Sequence, residues 1–145
     1  RLLEEVQARL ARDRAGTMAA LLEDWRGGAV KLALTATLLE ARRERAALFA
    51  TGGYEALAAT GTGGDRLCAF ARAASGDAVV VAAERFPARR EAGLGWGDTE
   101  LPLPTGVAAA RWRDLLTGRV HEARGALSPE ALLSVLPVAV LVPGS

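Results

Sequence analysis

Chemically versatile side chains are scarce in this chain of 145 residues: it has one cysteine (Cys68), one histidine (His121), one lysine (Lys31) and 5% aromatics. A single thiol excludes an internal disulfide framework and fits a reducing compartment, so a cytoplasmic setting is expected. One histidine and one cysteine cannot supply the usual ligands of a zinc site, and neither a metal nor another cofactor is expected. Cys68 lies in Leu67-Cys68-Ala69-Phe70 and reads as a small apolar residue packed in a strand. The only base available to it as a nucleophile is His121, and a catalytic histidine normally needs an orienting acid as well. Charge of one sign is lacking too: the formal net charge is +1, which gives no global attraction to nucleic acid or to an acidic membrane. Long hydrophobic runs are missing. The longest, over residues 131–142, is too short to span a bilayer and is cut by Pro137.

What is present changes character abruptly at Thr51-Gly52-Gly53. Before it, Ala, Leu, Arg and Glu recur with helical spacing and no proline; after it come short Val, Leu and Ala runs broken by Gly, Pro and Asp. The chain starts at Arg1 rather than Met, and a helical stretch feeding an all-β module reads as the tail of a larger protein whose chemistry lies elsewhere. Two segments are expected, helical over 1–50 and antiparallel β over 51–145.

In the first segment, Val6 and Leu10 with Leu2 and Leu3 predict a helix, followed by a polar break in which Gly16 ends one helix and Thr17 caps the next. Met18, Leu21, Leu22 and Trp25 predict a short second helix with Trp25 in the core. Over 29–49, Val30, Leu34, Leu38 and Ala41 form one stripe, with Leu32, Ala36 and Leu39 beside it. A stripe this wide calls for a substantial partner. Arg42, Arg43 and Arg45 suit the negative end of this helix better than they suit phosphates, since no aromatics interleave them.

In the second segment strands are expected at 54–59, 66–72, 78–83, 99–101, 109–115, 119–122 and 138–142. Along 66–72, Leu67, Ala69 and Ala71 face one way and Cys68 and Phe70 the other. Ser128-Pro129-Glu130 predicts a short helix with a serine cap. Residues 84–98 predict an exposed loop containing Trp96 among glycines. Trp112, between Arg111 and Arg113, predicts a core residue.

No reactive constellation emerges. Gly61-Thr62-Gly63-Gly64 has neither the lysine nor the following helix of a phosphate loop. The acid pairs Glu4/Glu5 and Glu23/Asp24 point apart on their helices and read as solvated surface. Trp96 is the candidate residue for substrate contact, either as a platform for a sugar ring or as a plug at the edge of the sheet, and with Tyr54 it motivates an alternative reading as a carbohydrate-binding module. No catalytic residue is assigned.

Several strings, in the order they stand, carry a family resemblance: Gly28-Ala29-Val30-Lys31-Leu32, Leu38-Leu39-Glu40-Ala41-Arg42-Arg43, and Leu48-Phe49-Ala50-Thr51-Gly52-Gly53-Tyr54. Later come Ala69-Phe70-Ala71-Arg72, Trp96-Gly97-Asp98-Thr99, Trp112-Arg113-Asp114-Leu115-Leu116-Thr117-Gly118, and Leu132-Leu133-Ser134-Val135-Leu136-Pro137-Val138-Ala139. Together they resemble the C-terminal end of the maltooligosyltrehalose synthases, members of the α-amylase superfamily. Gly27 and Ala29 depart from that pattern, standing where the family usually has charged residues. The resemblance implies an α+β fold: two or three N-terminal helices, then an antiparallel β-sandwich of the amylase C-terminal-domain type.

It also implies a parent isomerase, an intramolecular glucosyl transferase. Such an enzyme turns the reducing-end α-1,4 link of a maltooligosaccharide into an α,α-1,1 link, using carboxylates on a (β/α)8 barrel upstream of Arg1. The implied partners are that missing barrel and the oligosaccharide; cut from the barrel, the apolar stripe over 29–49 is expected to pack on the N-terminal helices, on the sandwich or on a second copy.

Overall fold

The structure, a computed structural model, describes residues 1–85, 93, 95–123 and 125–144. Helix α1 (Leu2–Arg12) buries Val6 and Leu10, keeps Glu4 and Glu5 in its first turn and Arg9 and Arg12 in its last, the order that complements a helix dipole. Asp13 both ends α1 and caps α2 (Arg14–Glu23), its carboxylate accepting from the Gly16 N–H at 3.0 Å. The cap is therefore Asp13, not Thr17, and is worth about 1 kcal/mol. A Cβ on Gly16 would fall 2.0 Å from Asp13 Oδ2, so the glycine makes room for the carboxylate. Thr17 lies inside α2, buried, donating to the Arg9 carbonyl at 3.2 Å.

Helix α2 stops before Trp25, which falls in a single 3-10 turn (Trp25–Gly27) and is 60% exposed, with the Arg26 guanidinium 5.3 Å from its ring centroid. The core position expected for Trp25 is thus corrected: the helix ends before its register can carry that ring inward.

The expected helix over 29–49 is two helices, α3 (Ala29–Glu44) and α4 (Ala46–Thr51), broken at Arg45. The cause is tertiary. The Arg72 guanidinium donates to the carbonyls of Phe49 and Gly52, both at 2.8 Å, and so ties α4 to the sheet. Arg45 Nε lies 3.6 Å from Asp77 Oδ2 on the same side of the junction.

The strands are β1 (Gly53–Leu57), β2 (Leu67–Ala74), β3 (Asp77–Glu84), β4 (Leu101–Pro102), β5 (Arg111–Asp114), β6 (Val120–Glu122), β7 (Ala126–Leu127) and β8 (Val138–Pro143). Six form one antiparallel sheet in the order β1-β2-β3-β8-β5-β6; β4 and β7 form a small second sheet. Strand β8, apolar on both faces, sits between β3 and β5, where a strand covered on both sides belongs. The short helix α5 (Pro129–Leu132) starts with proline as expected, but the Ser128 side chain makes no capping bond.

The alternation read along β2 is observed, and it divides the sheet into two faces with separate cores. On one face Leu67, Ala69, Ala71, Val80, Ala82, Trp112, Ala139 and Leu141 pack with Leu101, Leu127, Leu132 and Trp96, supplied by the small sheet, α5 and loops. On the other, Val79, Val140 and Val142 pack with Val6, Leu10, Met18, Val30, Ala33 and Ala41 of the helices. The fold is α+β, with the second layer of its sandwich reduced to two short strands and the helices laid over the opposite face. The helical and β segments meet at Thr51–Gly53, yet they share this second core.

Candidate functional site

Trp96 is held from three directions. Thr99 donates its hydroxyl to the Trp96 carbonyl and accepts from the Gly63 N–H at 2.7 Å. Asp98 accepts from the Thr62 N–H at 2.9 Å and its hydroxyl at 2.6 Å, bonds that hold the Asp98 carboxyl below the ordinary carboxylate range. The Arg66 guanidinium, itself buried, lies 4.5 Å from the centroid of the indole ring and donates to the Gly95 carbonyl. A Cβ on Gly63 would fall 2.7 Å from the Thr99 hydroxyl and 2.8 Å from Arg66, so only glycine fits this knot. The ring is 2% exposed. Burial of this degree matches the plug, one of the two roles weighed for Trp96. Of the expected loop over 84–98, residues 86–92 and 94, Pro87, Arg89 and Arg90 among them, lie outside the described residues.

The lone histidine and the lone cysteine are not neighbours. Cys68 is on β2, second in the strand order, and His121 on β6, at its far end. Four strand spacings separate them, about 19 Å. His121 instead faces Asp114, which sits at the end of β5 and is fully buried. Asp114 accepts from the Leu116 N–H at 3.0 Å, the Thr117 hydroxyl at 3.0 Å and the Val140 N–H at 3.3 Å, pinning the Thr117-Gly118 turn to β8. Burial raises the Asp114 pKa against the pull of these bonds, and burial lowers that of His121 against the attraction of Asp114. These groups knot a turn together and leave no nucleophile for the histidine to activate. Among the described residues no cluster of three or more His, Cys, Asp or Glu could hold a metal ion, and no helix is long and apolar enough to cross a membrane.

An apolar recess lies between the helices and the sheet. It encloses about 560 Å³ and is lined by Leu38, Leu39, Phe49, Phe70, Val81 and Val138, with Arg42 and Arg72 at its margin. Of the stripe expected on α3, Val30 and Ala41 are buried and Leu38 is exposed. The residues that α3 buries are Val30, Ala33, Thr37 and Ala41, whereas Leu38 is 40% and Leu39 52% exposed. Cys68 is exposed as well, correcting its expected packing, because the helices cover only part of this face. Beside it Tyr54 is 70% exposed and stacks on Phe70, with 5.5 Å between centroids and 25° between planes.

No family model and no curated protein matches the chain. Among solved structures, it is similar to maltooligosyltrehalose synthase from Arthrobacter ramosus, with 32% identity over 90% of this chain and a TM-score of 0.65. A point mutant of the same enzyme matches at 32% identity and a TM-score of 0.64. In both cases the chain spans only 16% of the length of the solved chain. The resemblance read in the sequence is therefore borne out, as likeness to a part of that enzyme.

Proposed function

Starting from that partial likeness to a maltooligosyltrehalose synthase, we propose that this chain is the non-catalytic C-terminal domain of such an enzyme. The parent would be an isomerase that converts the reducing-end α-1,4 link of maltooligosaccharides into the α,α-1,1 link of trehalose. The reacting carboxylates belong to a barrel that precedes this region, and the helices and sheet described here brace it. The observation that carries the reading is 32% identity sustained across 90% of the chain, helices and strands alike. The test is to assay the full-length polypeptide containing these residues on maltopentaose, alongside the 145-residue chain alone. A non-reducing product from the full-length protein, and none from the chain alone, is expected. Turnover by the chain alone would overturn the assignment.

A second reading, glucan contact by this domain, draws on the exposed Tyr54–Phe70 stack rather than on Trp96. Aromatic faces suit the apolar side of a pyranose. An unchanged oligosaccharide titration of the parent on Tyr54→Ala would dispose of it.

A further inference from the structure

The geometry points to a saccharide site on the flank of α3 away from the apolar recess: a polar groove between the helices and the turn after β5, in which Arg14, Glu40 and Arg113 bind the hydroxyls of two linked pyranose units. That the sugar is an α-glucan rests on the reading of this chain as part of a maltooligosyltrehalose-forming enzyme.

The groove consists of two hollows, of about 200 Å³ and 220 Å³, both lined by Arg14, Thr37 and Glu40. The first extends to Glu44 and Arg113, the second to Gln7 of α1. Each has room for one pyranose ring. Their depth follows from the sequence of α3, which places Ala36 and Ala41 at lining positions and so leaves space that larger side chains would fill.

The side chains around this space suit sugar hydroxyls better than an ion. Arg14 and Arg113 supply donors, Glu40 and Glu44 acceptors, and Thr37 a hydroxyl that can do both. Two positive and two negative groups leave no net charge, so an anion drawn by either arginine also meets carboxylates. The opposite charges do not close on one another. Among the described residues neither the Glu40 carboxylate nor the Arg113 guanidinium has a hydrogen bond or ion pair, while Glu44 lies 3.6 Å from Arg45. A hydroxyl, donor and acceptor at once, satisfies both kinds of group.

Arg14, by contrast, is held in place. Its Nη1 donates to the Leu115 carbonyl at 3.2 Å and to Thr37 Oγ1 at 3.4 Å, and a Cβ on Gly118 would lie 3.7 Å from its Cδ. Leu115 and Gly118 belong to the turn that buried Asp114 pins to β8, and the Leu115 N–H donates to the Val140 carbonyl at 2.8 Å. The Asp114 knot thus presents Arg14 to the groove with Nε and Nη2 still unengaged among the described residues. Buried Thr37 accepts from Arg14 and keeps its own proton for a ligand. Donors fixed before the ligand arrives lose less freedom on binding.

The experiment is an NMR titration of the nitrogen-labelled 145-residue chain with maltose, trehalose and inorganic phosphate. A disaccharide should shift the amide signals of Thr37, Leu115 and Gly118 saturably, and phosphate should not. Maltose alone would mark a site for the substrate chain and trehalose alone one for the product end; either supports the groove. Glu40→Ala and Arg113→Ala, both at exposed positions, should each weaken binding about tenfold. Tyr54→Ala, on the aromatic stack, should leave it unchanged. The amide spectrum reports whether each variant is folded, and the titration of the unaltered chain decides by itself if one is not.

No saturable shift from either disaccharide would overturn the inference. So would tighter binding of phosphate, which assigns the arginines to an anion, or binding lost in Tyr54→Ala and kept in Glu40→Ala, which assigns the glucan to the aromatic stack. The parent's activity on maltopentaose is read separately. A trehalose-forming parent whose 145-residue chain binds neither disaccharide defeats the groove alone. A sugar-binding chain whose parent forms no non-reducing product defeats the enzymatic reading alone.

Discussion

The two faces of the six-stranded sheet are built from similar side chains but finished differently. The face that carries Trp112 is closed by the chain's own small sheet, α5 and loops, so that Val80, Leu101, Leu141 and Trp112 are all fully buried. The face that carries the helices is closed at Val79, Val140 and Val142 and open at Phe70, Val81 and Val138. Strand identity does not make this difference, since β2, β3 and β8 contribute to both faces. It follows from where α3 and α4 stop covering. The two faces therefore carry two cores, one closed throughout by the chain's own elements and one closed only where the helices lie.

The largest test of that contrast is Trp112→Ala. The ring is fully buried on the closed face, and its loss should cost about 3–5 kcal/mol through a cavity that the flanking strands cannot collapse. Urea unfolding of the 145-residue chain measures it. A cost comparable to that of a surface substitution would mean that the closed face is not the principal core.

Next in size is Asp114→Ala, which removes the acceptor for two backbone N–H groups and the Thr117 hydroxyl in a buried turn. Stranding those donors should cost about 3 kcal/mol. Asp114→Asn, which keeps one carbonyl acceptor, should cost less. If both variants unfold at the same denaturant concentration as the parent chain, the turn is not held by the carboxylate.

A finer comparison uses neighbours on one strand. Val80 and Val81 are adjacent on β3 and differ in the face they serve, Val80 fully buried and Val81 only partly. Val80→Ala should cost roughly 2 kcal/mol and Val81→Ala under about 1 kcal/mol in the 145-residue chain. Denaturant midpoints of the two variants measure the gap. Equal costs would mean that the two faces are covered alike at β3.

How much of this was legible in the sequence depended on whether the determining contact was local. The alternation of Leu67, Ala69 and Ala71 against Cys68 and Phe70 gave the two faces of β2, because strand periodicity is a property of the backbone. Which of those faces is fully covered was not legible: Cys68 and Trp25 read as core residues and are exposed. Coverage depends on elements distant in the chain. The break at Arg45 carries no glycine or proline to announce it, and it follows from the hold of Arg72 on the last carbonyls of α4. Strand β7 was missed because two residues are too few to show a period. The glycine neighbours of Trp96 left platform and plug equally open, because the group that lies over its ring, Arg66, comes from another loop. That Asp114 is buried was likewise invisible, although Asp-Leu-Leu-Thr-Gly is a turn sequence whose acid commonly bonds the backbone ahead of it.

The smallest predicted effect concerns pH and separates the two partners at the β5–β6 edge. His121 is half-buried, and burial, outweighing the attraction of Asp114, lowers its pKa from the ordinary 6.5. Between the lowered folded value and 6.5, the unfolded chain binds more protons than the folded one, so stability should fall as pH drops through that window. The Asp114 pKa is raised above 3.8, and the sign there is reversed: the folded state holds the extra proton, and stability falls as pH rises from 3.8 through the folded value. Acidification from neutrality therefore first weakens the chain through His121, and further acidification returns part of the loss as Asp114 protonates. Denaturant midpoints measured between pH 4 and 7.5 should lose the near-neutral slope in His121→Gln, which cannot take up the proton, and retain the acid-side behaviour. A near-neutral slope that survives His121→Gln would move the titration to another group and leave this edge as an unresponsive part of the closed face.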